Sequence, residues 1–247
     1  MSRTRGILLP GVLALIGIAI LCGLGVWQVQ RLHWKEALIA RVGVRIHAMP
    51  VPAPGPTAWP VDLGRFDYQP VTVSGHFLHD KEIYVFASLL EPNGPLGGVG
   101  YRVLTPLQTD GGWYLIVNRG FVPEANKDPA TRAAGELPGE VTLTGILRPA
   151  DKRGMFTPAN DTARNIWFNR DPDEIGAFLK LPTEKVAPYT IDAVFDPSLP
   201  GGMPQGGETV VSFPNNHLQY AVTWFGLALA LAGVYLVWAW GRVRKKP

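Results

Sequence analysis

Two stretches of 23 residues, one near each end of the chain, carry no charged side chain: Ile7 to Val29 and Leu218 to Trp240. As helices each reaches roughly 34 Å, enough to cross a hydrocarbon core of about 30 Å. The first has Gln28 as its one strongly polar residue, and its small residues Gly11, Gly17, Ala19, Gly23 and Gly25 suit close helix contact. Trp27, Arg31 and Trp34 mark its exit from the bilayer, while Tyr220 and Trp224 open the second stretch and Tyr235, Trp238 and Trp240 close it. A cleaved signal peptide has a shorter apolar run followed by a small-x-small site, which Val26-Trp27-Gln28 matches poorly. Both stretches read as retained membrane spans.

The basic tail after Gly241 predicts a cytoplasmic C-terminus by the positive-inside rule. Two spans then put the N-terminus inside as well. Arg31, Lys35, Arg41 and Arg45 after the first span oppose this, against Arg3 and Arg5 before it, but long domains cross largely regardless of charge. The expected division is a tail and first span over 1–30, a periplasmic domain over 31–216, a second span over 217–241 and a basic tail over 242–247. With no Arg- and Ser-rich presequence ahead of the first span, the expected address is a bacterial inner membrane.

A pI near 9 raises the question of nucleic acid, but the charge is segregated. Six of the 23 basic residues lie at the ends, and between them 20 acidic residues outnumber the remaining 17. That leaves a near-neutral domain with basic ends, whose partner is the lipid bilayer and not nucleic acid. Hydrophobic residues at 47% and charged ones at 17% exclude general disorder. A single cysteine excludes a disulfide framework and any multi-cysteine zinc site.

Between the spans, residues 31 to 46 read as a helix continuing out of the membrane, ended by Met49-Pro50 and a proline-rich linker to Pro60. Strand patterns follow in QPVTVSGHF, EIYVFASL, GYRVLTPLQ, GGWYLIVNRGFVP, EVTLTGILR, YTIDAVF and ETVVSF. Thr109-Asp110-Gly111-Gly112 reads as a hairpin turn, and EVTLTGILR alternates except at Gly145. Asp171 as N-cap, Pro172 in the first position and Asp173 and Glu174 in the first turn specify one short helix. The expected fold is a membrane protein in which two transmembrane helices flank a mainly antiparallel β domain with one short helix.

Little in that domain carries chemistry by motif. There is no C-x-x-C-H, G-x-S-x-G, Walker loop or H-E-x-x-H, which argues against an enzyme. His76 and His79 would face opposite ways on a strand with no carboxylate at ligand spacing, and His33 and His47 read as surface residues of the first helix. His217 differs: at helical spacing it shares a face with Tyr220, Ala221 and Trp224 at the edge of a span. A neutral imidazole there could ligate haem iron with the rings packed on the porphyrin. The same residues would equally serve as an interfacial helix cap with aromatic anchors.

Several motifs occur in order along nearly the whole chain: Trp27-Gln28-x-x-Arg31-x-x-Trp34-Lys35-x-x-Leu38-Ile39, Tyr68-x-Pro70-Val71-x-Val73-x-Gly75 and Val103-x-Thr105-Pro106-Leu107. Val117-Asn118-Arg119-Gly120-Phe121-Val122-Pro123 is more specific, and Gly145-x-Leu147-Arg148, Phe156-x-Pro158-x-Asn160, Trp167 and Asn216-His217-Leu218-Gln219-Tyr220-Ala221-x-Thr223-Trp224 complete the set. Together they resemble the surfeit-locus protein (Shy-type) family of cytochrome c oxidase assembly factors. The resemblance implies a non-enzymatic assembly role with the oxidase catalytic subunit as partner, and haem a synthase as a second candidate partner. It also implies haem a as a transiently bound cofactor with His217 as iron ligand; Tyr220 and Trp224 share its helix face, and Arg31 is a basic candidate at the interface. Arg31 and Lys35 suit lipid phosphates equally well. Asn118-Arg119-Gly120 reads first as structural, with Gly120 in a tight turn and its neighbours bonding loop backbone; Arg119 meeting a haem propionate or the oxidase is the other reading. The competing function is a chaperone that stabilises an oxidase subunit without binding haem.

Overall fold

The computed structural model describes residues 5–59, 63–151, 153–209 and 213–244. Two compact units emerge, one from the chain ends (Met1–Val42 with Ser212–Pro247) and one from the chain between (Gly43–Val211).

The first unit is a pair of long helices, α1 (Arg5–Ile46) and α3 (His217–Arg244). Their most apolar 18-residue windows have mean hydropathy 2.7 and 1.8, yet only 11% of each window is buried. A core helix of a soluble protein would be mostly covered, so these apolar surfaces need a lipid solvent, and the chain is a membrane protein with two candidate spans. The helices meet through the small residues of α1. A Cβ added to Gly25 would lie 2.7 Å from the Phe225 ring, one on Gly17 2.9 Å from Leu231, and one on Gly11 2.5 Å from the Tyr235 hydroxyl. Contacts that climb one helix while descending the other make the pair antiparallel. Gly23 meets nothing within 4 Å, so it is not part of the seam. At 42 residues α1 is about 63 Å long, twice what a bilayer core requires, and it runs unbroken through residue 31 to Ile46. Pro50 follows shortly after, where a helix can no longer continue.

The second unit is a closed barrel. Its strands are β1 (Val51–Pro52), β2 (Pro70–Phe77), β3 (Ile83–Leu89), β4 (Gly98–Thr109), β5 (Tyr114–Pro123), β6 (Glu140–Pro149) and β7 (Val186–Ala193). The ring runs β2–β4–β5–β7–β6 and back to β2, and within it only β5–β7 is parallel. This is the connectivity of a Greek-key barrel of the OB type. Closure depends on Gly75, where a Cβ would sit 2.2 Å from the Gln108 carbonyl oxygen; without one, β2 pairs with β6 along its length and with β4 at its end. The mainly antiparallel expectation holds, as does the turn after Thr109, whose carbonyl accepts from Gly112 N–H. Alternation alone did not reveal the parallel β5–β7 pair or the two-residue β1, which pairs in parallel with β2. Gly145 keeps its register, opposite Val71 on one side and Ala193 on the other. The expected ETVVSF strand does not form at Glu208, Thr209 or Phe213, and its residues 210–212 lie outside the described residues.

Both faces of β5 are covered, which is why Leu115, Ile116 and Val117 form one apolar run. Leu115 and Val117 point into the barrel with Val71, Leu107, Leu147 and Tyr189. Ile116 points outward onto a second cluster with Ile83, Leu104, Trp167 and Ile175. Ile175 comes from α2 (Pro172–Phe178), whose cap is as expected: Asp171 accepts from Asp173 N–H at 3.0 Å and Glu174 N–H at 3.3 Å.

Candidate functional site

Within the helix pair, His217 is the first residue of α3, whose opening turn is closed by Tyr220 N–H donating to Asn216 O at 3.2 Å. Its imidazole is half-buried, and its Nδ1 lies 2.7 Å from the side-chain oxygen of Gln28 on α1. Gln28 is 8% exposed. Ala221, one turn on, is buried against the pair, and Trp224 is half-buried. Tyr220 is 53% exposed, and Arg31 is exposed with its guanidinium 4.5 Å over the Trp34 ring. The structure thus joins His217 to Gln28; among the described residues no ring contact ties His217 to Tyr220 or Trp224. A lone polar residue inside an apolar span is the signal that points to Gln28, since such residues in membranes pair with one another or with backbone.

The barrel places its polar side chains differently. At the end of β5 the register slips: Val103 faces Gly120 while Leu104 faces Asn118, so Arg119 is the extra residue of a bulge. Gly120 adopts φ +134°, and a Cβ there would meet Gln205 backbone at 2.1 Å. This glycine therefore sits in a strand bulge and not in the tight turn expected from sequence. The bulge sends two consecutive side chains into separate buried clusters. Arg119 donates to Glu82 at 3.3 Å and to the Gly135 carbonyl, and contacts His79 Nδ1 at 3.4 Å. Arg132 holds the same carboxylate at 2.5 and 3.3 Å, and Tyr84 donates to it at 3.0 Å. Burial, and then Glu82, push the Tyr84 phenol well above its ordinary value. Burial draws Arg119 down against the pull of Glu82, whereas for Arg132 the hydrogen bonds and charge of Glu82 outweigh burial and raise it.

Asn118 instead donates to Asp192 at 2.8 Å, beside Arg170 at 2.5 Å and the Thr209 hydroxyl at 3.2 Å. Arg170 also reaches Asp151 at 3.3 Å. The expectation that His79 has no carboxylate at ligand spacing is corrected by the fold, which sets it beside Glu82, three residues on, and Glu136. His79, Glu82 and Glu136 have potential ligand atoms within 4.8 Å of one another. Two guanidinium groups already hold Glu82, so a cation entering there would face two positive charges at contact distance. The expected surface residues behave as such: His33 is exposed beside Glu36 at 3.6 Å, and His47 is exposed just past the end of α1. A cavity of about 320 Å³ lies beside the Arg119 cluster, lined chiefly by Phe77, Leu143, Val194, Phe195 and Leu199 with Arg119 in its wall.

Comparison with known proteins agrees with the motif pattern. The sequence model of the SURF1 family matches residues 15–229. Surfeit locus protein 1 of Rattus norvegicus is 41% identical over 235 residues, covering 91% of this chain and 73% of that protein. The Homo sapiens protein of the same name is 42% identical over 219 residues, 84% of this chain and 70% of its own length. A SURF1-like protein of Drosophila melanogaster is 38% identical over 220 residues, again 84% and 70%. The chain belongs to the SURF1 family, whose members are non-enzymatic assembly factors of cytochrome c oxidase.

Proposed function

We propose that this protein binds haem a through His217 and aids its insertion into the catalytic subunit of a haem-copper cytochrome c oxidase. The observation that carries the reading is the His217–Gln28 contact: with Nδ1 engaged at 2.7 Å, the other ring nitrogen remains as the donor an iron would take. The donor set fits the group, because a neutral imidazole at the end of a span offers nitrogen ligation beside apolar surface. Bound haem would supply the cargo redox centre of the oxidase; the chain's part is to ligate, shield and release it. Tyr220 and Trp224 would flank the ring, and Arg31 suits a propionate or a lipid phosphate. In this reading both termini are cytoplasmic and the barrel lies in the periplasm of a bacterial inner membrane. Haem a synthase is then a natural donor partner.

A haem-independent chaperone remains the second reading, supported by the turn at Met155 and Phe156, whose side chains are each 92% exposed. The test is the absorption spectrum of the full-length protein purified in detergent from cells that make haem a. A Soret band at near-stoichiometric intensity supports haem delivery, and its absence favours the chaperone. Orientation is tested by alkaline phosphatase fusions, active after Pro123 and inactive after Lys246; the reverse pattern overturns it.

A further inference from the structure

Gln28 is an expensive residue to place in a membrane helix, and it is 8% exposed in a span otherwise free of strongly polar side chains. Its carboxamide oxygen can only accept, so the 2.7 Å contact requires a hydrogen on Nδ1 of His217. A neutral imidazole carries one ring hydrogen, so Nε2 is left with a free lone pair. This is the less common tautomer of a free histidine, and Gln28 selects it. We infer that Gln28 is the positioning residue of the His217 site: it fixes the Nε2-ligating tautomer and the ring orientation, and it tunes the electron donation of the bound imidazole. The inference rests on the haem-binding reading above, but its tautomer component stands without haem.

The geometry holds Gln28 in place. Gly25, one turn before it, lies against Phe225, and a Cβ there would overlap that ring at 2.7 Å. His217 and Phe225 lie two turns apart on α3, so the same seam that brings Gly25 to Phe225 brings Gln28 to His217. Hydrogen-bond partners of metal-bound histidines act in this way: they orient the ring and raise its basicity, and their loss costs about 10- to 100-fold in metal affinity. They also set the potential of the iron, as one of the levers a protein has over a haem. An amide acceptor gives a moderate effect, a carboxylate a stronger one, and an apolar residue none.

Two variants of the full-length protein in detergent test this, Gln28→Leu and Gln28→Glu. In the haem-free protein, nitrogen NMR of labelled histidine should find the Nδ1–H tautomer of His217 in the wild type and mainly Nε2–H in Gln28→Leu. With haem a as probe, Gln28→Leu should weaken binding by about 10- to 100-fold. The midpoint potential should move in opposite directions, up in Gln28→Leu and down in Gln28→Glu. A merely structural role would weaken binding in both variants without opposed shifts. Equal tautomers in wild type and Gln28→Leu, or potentials that move together, would overturn the inference while leaving haem binding intact. A wild type that shows the Nδ1–H tautomer but takes up no haem would instead remove the haem-binding reading and the tuning role with it.

Discussion

The barrel and the helix pair handle polarity in opposite ways. In the barrel, Glu82, Arg119, Arg132 and Tyr84 bind one another, and Asp192, Arg170 and Asn118 form a second closed set. The carboxylates of Glu82 and Asp192 are already taken up by guanidinium groups, so these residues specify the fold. In the helix pair the close contacts among the described residues are apolar apart from a few, and the His217–Gln28 contact leaves the second ring nitrogen of His217 as a strong donor. Abundant buried charge therefore marks structure here, and sparse polarity marks the candidate site.

The largest effect is expected at Glu82. Removing the carboxylate leaves two buried guanidinium groups facing each other, which costs about 3–5 kcal/mol. Glu82→Gln should lower the denaturation midpoint of the barrel accordingly, read by near-UV circular dichroism of its buried tryptophans; a change below about 1 kcal/mol would show that the cluster is not the structural unit described. Gly120→Ala should be next, since the left-handed backbone alone costs about 1–3 kcal/mol and Gln205 must also shift. Gly25→Leu sharpens the contrast from the other side. It should separate Phe225 from α1 and abolish the His217–Gln28 contact, yet leave the barrel midpoint unchanged. Loss of barrel stability in that variant would mean that the two regions are not independent. Asp171→Ala should cost only about 1 kcal/mol through loss of the α2 cap.

The smallest effect concerns acid. Asp196 accepts from both the hydroxyl and the N–H of Ser198, and these bonds hold its carboxyl below its ordinary value of 3.8. A folded-state value below the unfolded one stabilises the protein above about pH 4 and loses that contribution as the pH falls further. Asp196→Asn should flatten this part of the acid profile slightly and change nothing near neutrality.

Much of the architecture was legible because period and capping are local. The two charge-free runs, the Asp171 cap and the turn after Thr109 each follow from neighbouring residues. Barrel closure was not, because it depends on Gly75 meeting Gln108 across more than thirty positions of sequence. The parallel β5–β7 pairing is equally non-local. For the site, His217 could be singled out by its place at a span edge, but its partner lies 189 residues away. Asn118-Arg119-Gly120 reads as a turn in sequence because a bulge and a turn both favour glycine at positive φ, and only the opposing strand tells them apart. Of the carboxylates beside His79, Glu82 is three residues on in sequence, whereas Glu136 is delivered from a distance by the segment before β6.

Whether His217 ligates the iron is read from the haem content of two purified full-length variants. His217→Ala should accumulate in the membrane at the wild-type level but lose the Soret band, with oxidase activity in the same cells falling in parallel. His79→Ala, whose histidine belongs to the barrel cluster, should keep both. A His217→Ala protein with its Soret absorbance intact would show that this residue is not the ligand.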